Sequence, residues 1–373
     1  MNCLKLQMKV GNKMVVDLKI LHPRPNAIAA ALFTLRDLDV DVAVIHGPPG
    51  CNYKLARMLE EDGMHVVTTA MDETDYIFGA GNRLTDVLKQ VLLMFNPTNV
   101  GVVGTCASMI IGENLKSAVD EIHAEIPIIV VDIHAGYHDN IVGVIKTLEA
   151  ARNTGLISEP ELDRQKYLMQ KASDLEKERG AASSGYIQPS RGDTKYAVAK
   201  RLISLMKEKK KGAVVLNAKK ETVYMFADIL LAVNKAASKF HVELINIANL
   251  EEVGLPRIQR YARDIKRELE EKGVVLHHLC GGLDEYAITN TCVEKLIEEM
   301  DFVVITGIPH AIIPPEHAEV FSITNGPRLV APLKKAGHHH VVVEIDLHPK
   351  TLGVRSVVES EFGETVRDLI QKQ

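Results

Sequence analysis

Two cysteines of this 373-residue chain sit where loop thiols can do chemistry: Cys51 in HGPPGC (46–51), after the run VAVI, and Cys106 in GTCASMIIGEN (104–114), after VGVV. Each follows a β-branched run of the kind that forms a buried parallel strand. In an open parallel sheet ligands gather beyond the carboxyl ends of the strands. Thiols 55 residues apart can therefore meet at one sheet edge. Paired thiolates are soft ligands suited to iron–sulfur clusters. The Gly and Pro around Cys51 supply a tight turn whose backbone N–H groups can aim at sulfur and tune a bound cluster. The alternative is two small buried hydrophobes.

The other cysteines, Cys3, Cys280 and Cys292, carry less of a pattern. Cys280 and Cys292 are not spaced as CxxC, and both are expected as buried thiols rather than a disulfide, because reducing systems keep cytoplasmic thiols free. The turn HGPPGCNYK is not a phosphate loop. Asn52 and Tyr53 stand where Gly and Lys are required, so no ATP site is expected on this chain. No G-x-G-x-x-G fingerprint opens a helix, which argues against a nicotinamide site.

The elements that must position these residues read as α/β: repeated Rossmann-like parallel sheets flanked by helices. Strands are predicted at about 42–46, 64–69, 99–104 and 127–132, then at 213–218, 242–248, 273–279, 301–307 and 340–347. Between the two sets lies a charged helix-forming stretch followed by the Gly/Ser/Pro-rich GAASSGYIQPSRGD. The expected organisation is a first lobe over 1–155 with the cluster cysteines, a helical segment and linker over 156–200, and a second doubly wound lobe over 201–373, divisible into two sublobes.

Composition narrows the function. With 46% hydrophobic and 25% charged residues the chain is expected to fold, and a net charge of −5 without massed Lys or Arg gives no footprint for nucleic acid. No apolar run approaches the roughly 18 residues of a membrane span, and MNCLKLQMKV lacks a signal-peptide core, so a cytoplasmic location is expected.

Three ordered segments, HGPPGC, MDETDYIFGAGNRLTDVL (71–88) and TCASMIIGENL (105–115), resemble successive motifs of nitrogenase component 1 subunits, over about residues 22–150. That resemblance implies that Cys51 and Cys106 ligate a 4Fe-4S cluster held between two subunits. The family usually adds a cysteine from the N-terminal segment. Here LKILHPRPNAIAAAL (18–32) has none, Cys3 lies too far upstream, and His22 is the nearest substitute. A four-iron cluster normally takes four thiolates. A two-fold homodimer presenting Cys51 and Cys106 from each subunit would complete such a site.

Shorter family members with one bridging cluster reduce tetrapyrroles, and HPRPNAIAAALFTLRDL (22–38) resembles those acting on a nickel tetrapyrrole. The resemblance implies a six-electron reduction with closure of a lactam ring. Electrons would come from a separate ATP-hydrolysing reductase like the nitrogenase iron protein. Reduction consumes protons, and VDIHAGYHDN (131–140) carries the candidate donors His134, His138 and Asp139.

In the second lobe, HHLCGGLDEYAITNTC (277–292) is expected to line a cleft, with Gly281 and Gly282 allowing close approach and Asp284 contacting substrate. Arg257, Arg260 and Arg328 are candidates for substrate carboxylates. The run His338 to His340 reads as solvated. Two other functions stay open: reduction of a different substrate, and a non-catalytic scaffold for cofactor assembly.

Overall fold

The computed structural model describes residues 25–181, 186–344 and 353–372, together with the backbone of 6–8 and 14–16. His22 and Cys3 lie outside the described residues. Strands β1 (Leu6–Met8) and β2 (Met14–Val16) pair antiparallel as a small ribbon.

The first lobe is a four-stranded, wholly parallel sheet of β3 (Val42–Ile45), β4 (His65–Thr68), β5 (Val100–Val103) and β6 (Ile128–Val131), in the order β4-β3-β5-β6. Central strands β3 and β5 are buried along their whole length, as their unbroken apolar runs require. Gly101 makes room for Leu35, whose Cδ1 would lie 2.4 Å from a Cβ at that position.

The second lobe is a six-stranded parallel sheet: β7 (Gly212–Asn217), β8 (Leu244–Ala248), β9 (His278–Leu279), β10 (Phe302–Gly307), β11 (Glu319–Thr324) and β12 (His340–Val343). Its order is β12-β11-β10-β7-β8-β9. Two strands depart from expectation. β9 is only two residues long, and β11 (EVFSIT) was not anticipated, because its polar Ser322 and Thr324 blur the apolar run although both are buried.

Helix Ala27–Asp37 joins the lobes. Asn26 caps it by accepting from the Ala29 N–H at 2.9 Å, and ten of its eleven residues are buried. Alanine lets neighbours come close: at the crossing with helix Ile141–Asn153, a Cβ on Gly143 would fall 2.0 Å from the Ala27 carbonyl oxygen. One apolar core runs through both lobes, containing Ile45 and Leu148 as well as Leu216, Phe226 and Ile258. Helix Glu159–Glu178 bridges between the sheets, and helix Glu361–Gln371 packs on helices Lys195–Lys207 and Val223–Phe240.

Cys280 and Cys292 are disulfide-bonded, with Cα atoms 5.8 Å apart, contrary to the expectation of separate thiols. Cys280 closes β9 and Cys292 lies in the first turn of helix Asn290–Ile297. The intervening loop turns back on itself, a proximity that spacing alone does not reveal.

Candidate functional site

The Cys51 and Cys106 loops leave adjacent strands and are stapled together. The His46 N–H donates to the Val103 carbonyl at 2.9 Å, continuing the β3–β5 ladder, and the Thr105 hydroxyl donates back to the His46 carbonyl at 3.0 Å. Gly47 has to be glycine here, since a Cβ would stand 2.5 Å from the Thr105 Oγ1. The Pro48–Cys51 turn is closed by the Cys51 N–H on the Pro48 carbonyl at 3.1 Å. Cys106 opens helix Cys106–Ile110, whose cap pairs Thr105 and Ser108 reciprocally.

Both thiols are half-buried and unbridged. The Ala135 N–H donates to Cys106 Sγ at 3.3 Å, and the Asn52 side-chain amide donates to Cys51 Sγ at 3.4 Å. Burial pushes the Cys51 thiol above its ordinary pKa against the Asn52 bond, and the neighbouring Cys106 pushes the same way. A bound cation would reverse that balance and favour the thiolates. Among the described residues no three His, Cys, Asp or Glu side chains converge as a metal site. The described residues of one chain thus bring two loop thiols to the same sheet edge, each with an N–H donor directed at sulfur.

Sequence reasoning passed over His46 and Glu113, although both lie inside the quoted motifs. His46 is fully buried with Nε2 3.4 Å from Glu113 Oε2, and burial holds it below the ordinary histidine pKa despite Glu113 and Asp75. Glu113 also accepts the Ala80 N–H at 3.0 Å, tying the 71–88 segment to the Cys106 loop.

A cavity of about 990 Å³ opens beside this edge, between the lobes. Gly50, Asn52 and Tyr53, on either side of Cys51, line it together with Phe33 and Met58, and the second lobe contributes Lys219, Leu283, Asp284 and Tyr286. Of the second-lobe candidates, Asp284 therefore reaches the cavity. Its carboxylate is engaged by Arg164 at 2.9 and 3.0 Å and by Gln165 at 2.6 Å. Gly281 and Gly282 serve the turn instead: a Cβ on Gly281 would meet Glu285 Oε2 at 2.8 Å, and one on Gly282 would meet Val253 at 2.7 Å.

The loop after β6 places Ala135 on Cys106 and Asn140 on the cavity wall. His134 stacks on Tyr137 at 4.2 Å and accepts the Gly136 N–H, while His138 and Asp139 are exposed. None of these three side chains lines the cavity. Arg257 and Arg260 are spent elsewhere, on Asp39 and Asp62 of the first lobe. His338, read as solvated, is buried with Nδ1 2.6 Å from Ser322 Oγ.

The nitrogenase component 1 type oxidoreductase family matches residues 27–167. Over nearly their full length, three relatives are similar to this chain. Each bears the name Ni-sirohydrochlorin a,c-diamide reductive cyclase complex, component CfbD. The Methanosarcina acetivorans protein is 56% identical, covering 95% of this chain and 99% of the relative. The Methanothermobacter thermautotrophicus protein is 48% identical over 94% and 99%. The Methanocaldococcus jannaschii protein is 42% identical over 92% and 98%. With its paired loop thiols at the edge of a parallel sheet and this likeness along almost its whole length, the chain belongs to the nitrogenase component 1 type oxidoreductases, among the CfbD components of reductive cyclase complexes.

Proposed function

We propose that this chain binds Ni-sirohydrochlorin a,c-diamide in its interlobe cavity and holds it beside a 4Fe-4S cluster bridging two copies of the chain. The observation that carries this reading is the placement of Cys51: its free thiol neighbours that of Cys106, and the adjacent Gly50 and Asn52 line a cavity of about 990 Å³. Ligand cavities run from roughly 300 to 1,000 Å³, so this volume suits a macrocycle rather than a diatomic gas or a small sulfur compound.

The cluster, when bound, supplies single electrons. The chain's own residues do the rest. The largely apolar cavity wall, with Phe33, Leu55, Met58 and Leu148, excludes water from the reacting ring. The Ala135 and Asn52 donors stabilise negative charge on sulfur. His134, His138 and Asp139 lie on the loop that runs from Ala135 at Cys106 to Asn140 on the cavity wall but outside the cavity lining, so as proton donors for the six-electron reduction and lactam closure they would act only after that loop moves.

Homodimerisation follows from ligand number. Two thiols per chain make four about a two-fold axis. Exposed apolar side chains suited to a second copy stand close to them in the chain, Tyr53 two residues after Cys51 and Ile110, at 75% exposure, on the helix that Cys106 opens. Electrons would arrive from a separate ATP-dependent reductase resembling the nitrogenase iron protein. Among the described residues no helix is long and apolar enough to cross a membrane.

The test is iron and acid-labile sulfide content with native mass, on protein purified without oxygen, followed by turnover with the reductase and the nickel substrate. About four irons per dimer and formation of the cyclised product are expected. An iron-free protein after reconstitution overturns the cluster. A loaded dimer that binds but never converts the tetrapyrrole favours the scaffold function.

A further inference from the structure

We infer that Lys219 anchors a carboxylate of the bound macrocycle from the second-lobe wall of the cavity, a role that rests on the tetrapyrrole reading above.

The inference begins with what the other charges of the cavity are doing. Asp37 is buried and shared between Arg36, at 2.8 Å, and Lys220. Asp284 is held by Arg164 and Gln165. Lys220 is committed to Asp37, with Glu221 at 3.8 Å beyond it. Lys54 stands exposed, where solvent screens it.

Lys219 differs from all of these. Its side chain is 32% exposed and lines the cavity, and its nearest carboxylate oxygen, Glu176 Oε1, is 3.5 Å away. Charge-assisted N–H···O bonds are usually near 2.7–2.9 Å, and an ammonium has three protons to give. The contact with Glu176 therefore orients the amine without saturating it. Tyr286 holds it from another side, with Nζ 4.6 Å from its ring centroid and a side-chain hydrogen bond to the amine, which still leaves one of the three ammonium protons for a ligand. Burial works to lower the Lys219 pKa, but Tyr286, Glu176 and Glu221 outweigh it and hold the ammonium charged.

Position in the fold agrees. Lys219 follows β7 at the carboxyl end of the second sheet, ahead of the 18-residue helix Val223–Phe240, where open α/β sheets place anionic ligands. The wall facing it across the lobes carries Gly50 and Asn52. A carboxylate held at Lys219 would fix one edge of the macrocycle and leave the remainder of the ring to lie toward the Cys51 turn. A rim of several side-chain acids around an apolar disc is the ligand chemistry that this wall recognises.

The experiment is anaerobic equilibrium titration, followed by the absorbance of the nickel chromophore, with Ni-sirohydrochlorin a,c-diamide and with its methyl ester. Wild-type chain, Lys219→Met, Lys219→Arg and Lys200→Met, an exposed position outside the cavity, are compared, each checked for an unchanged melting curve. Lys219→Met is expected to weaken the acid form by about 10- to 100-fold, the range for one charge-assisted bond. Lys219→Arg should recover part of that loss, and Lys200→Met should change binding by less than about three-fold. The ester should bind wild type and Lys219→Met alike. Equal binding of the acid form by wild type and Lys219→Met overturns the anchoring role while leaving the substrate reading intact. Failure of wild type to bind either form overturns the substrate reading, and the anchor with it. Should Lys219→Met fail to fold, Lys219→Gln is read by the same comparison.

Discussion

Arg257 of the second lobe closes on Asp62 of the first, with Nη1 3.0 Å from the Asp62 carbonyl oxygen and 3.2 Å from its carboxylate. The same carboxylate meets Arg36 at 3.1 Å, and all three side chains are nearly sealed from solvent. Tyr261 and the Gly353 N–H reach the other carboxylate oxygen. This buried clamp holds the two walls of the cavity at a set separation.

Removing one partner of a buried ion network leaves a charge desolvated and underpaired. Arg257→Ala is therefore expected to cost about 3 kcal/mol, Arg36 remaining to share Asp62. Denaturant unfolding of the two proteins measures it. A loss below about 1 kcal/mol would mean that the clamp is incidental.

The two cysteines proposed as cluster ligands should be separable from the fold. Cys51→Ser and Cys106→Ser each keep a side chain of similar size in a half-buried loop position, so stability is expected to change by no more than about 1 kcal/mol. Iron and visible absorbance are expected to disappear in both. A fully loaded Cys106→Ser protein would remove that residue from the ligand set.

Gly47 sets the approach of the two cysteine loops. With Thr105 Oγ1 only 2.5 Å from where a Cβ would stand, Gly47→Ala must push the loops apart and strain the Thr105–His46 bond. A cost of about 1–3 kcal/mol and a lower iron occupancy are expected together. Thermal melts and iron assays on the same preparation check both, and normal iron with normal stability would contradict the stapling.

His338 makes stability pH-dependent. Burial lowers its pKa to about 4, with His310 and His339 adding to the effect, against about 6.5 in an unfolded chain. Between those values the unfolded state binds more protons, so stability falls as pH drops from about 6.5 to 4. The loss from this group saturates near about 3 kcal/mol. His338→Gln should flatten that part of a stability-against-pH curve, and an unchanged slope would exclude His338 as its source.

Much of the architecture is local and was legible in the sequence. Runs rich in Val and Ile at 42–45, 100–103 and 302–307, separated by amphipathic stretches, determine parallel strands with crossover helices because each signal is confined to a few neighbouring residues. The positions of Cys51 and Cys106 immediately after two such runs likewise follow from order along the chain, as does the likeness of their motifs to a known family. What the sequence could not decide depends on register and on turns between distant segments. The Ala135 N–H on Cys106 Sγ spans 29 residues, the Thr105 hydroxyl on the His46 carbonyl spans 59, and Arg257 on Asp62 spans 195. The partners of Asp284, the pairing of Cys280 with Cys292 and the exposure of Lys219 to the cavity belong to the same class. The Ala135 and Thr105 bonds need the register of the first sheet and the disulfide needs a turn of the second lobe, whereas Arg257 on Asp62, the partners of Asp284 and the exposure of Lys219 need the two sheets packed at one relative position, which the shared apolar core and the buried ion clamp establish only once the chain has folded.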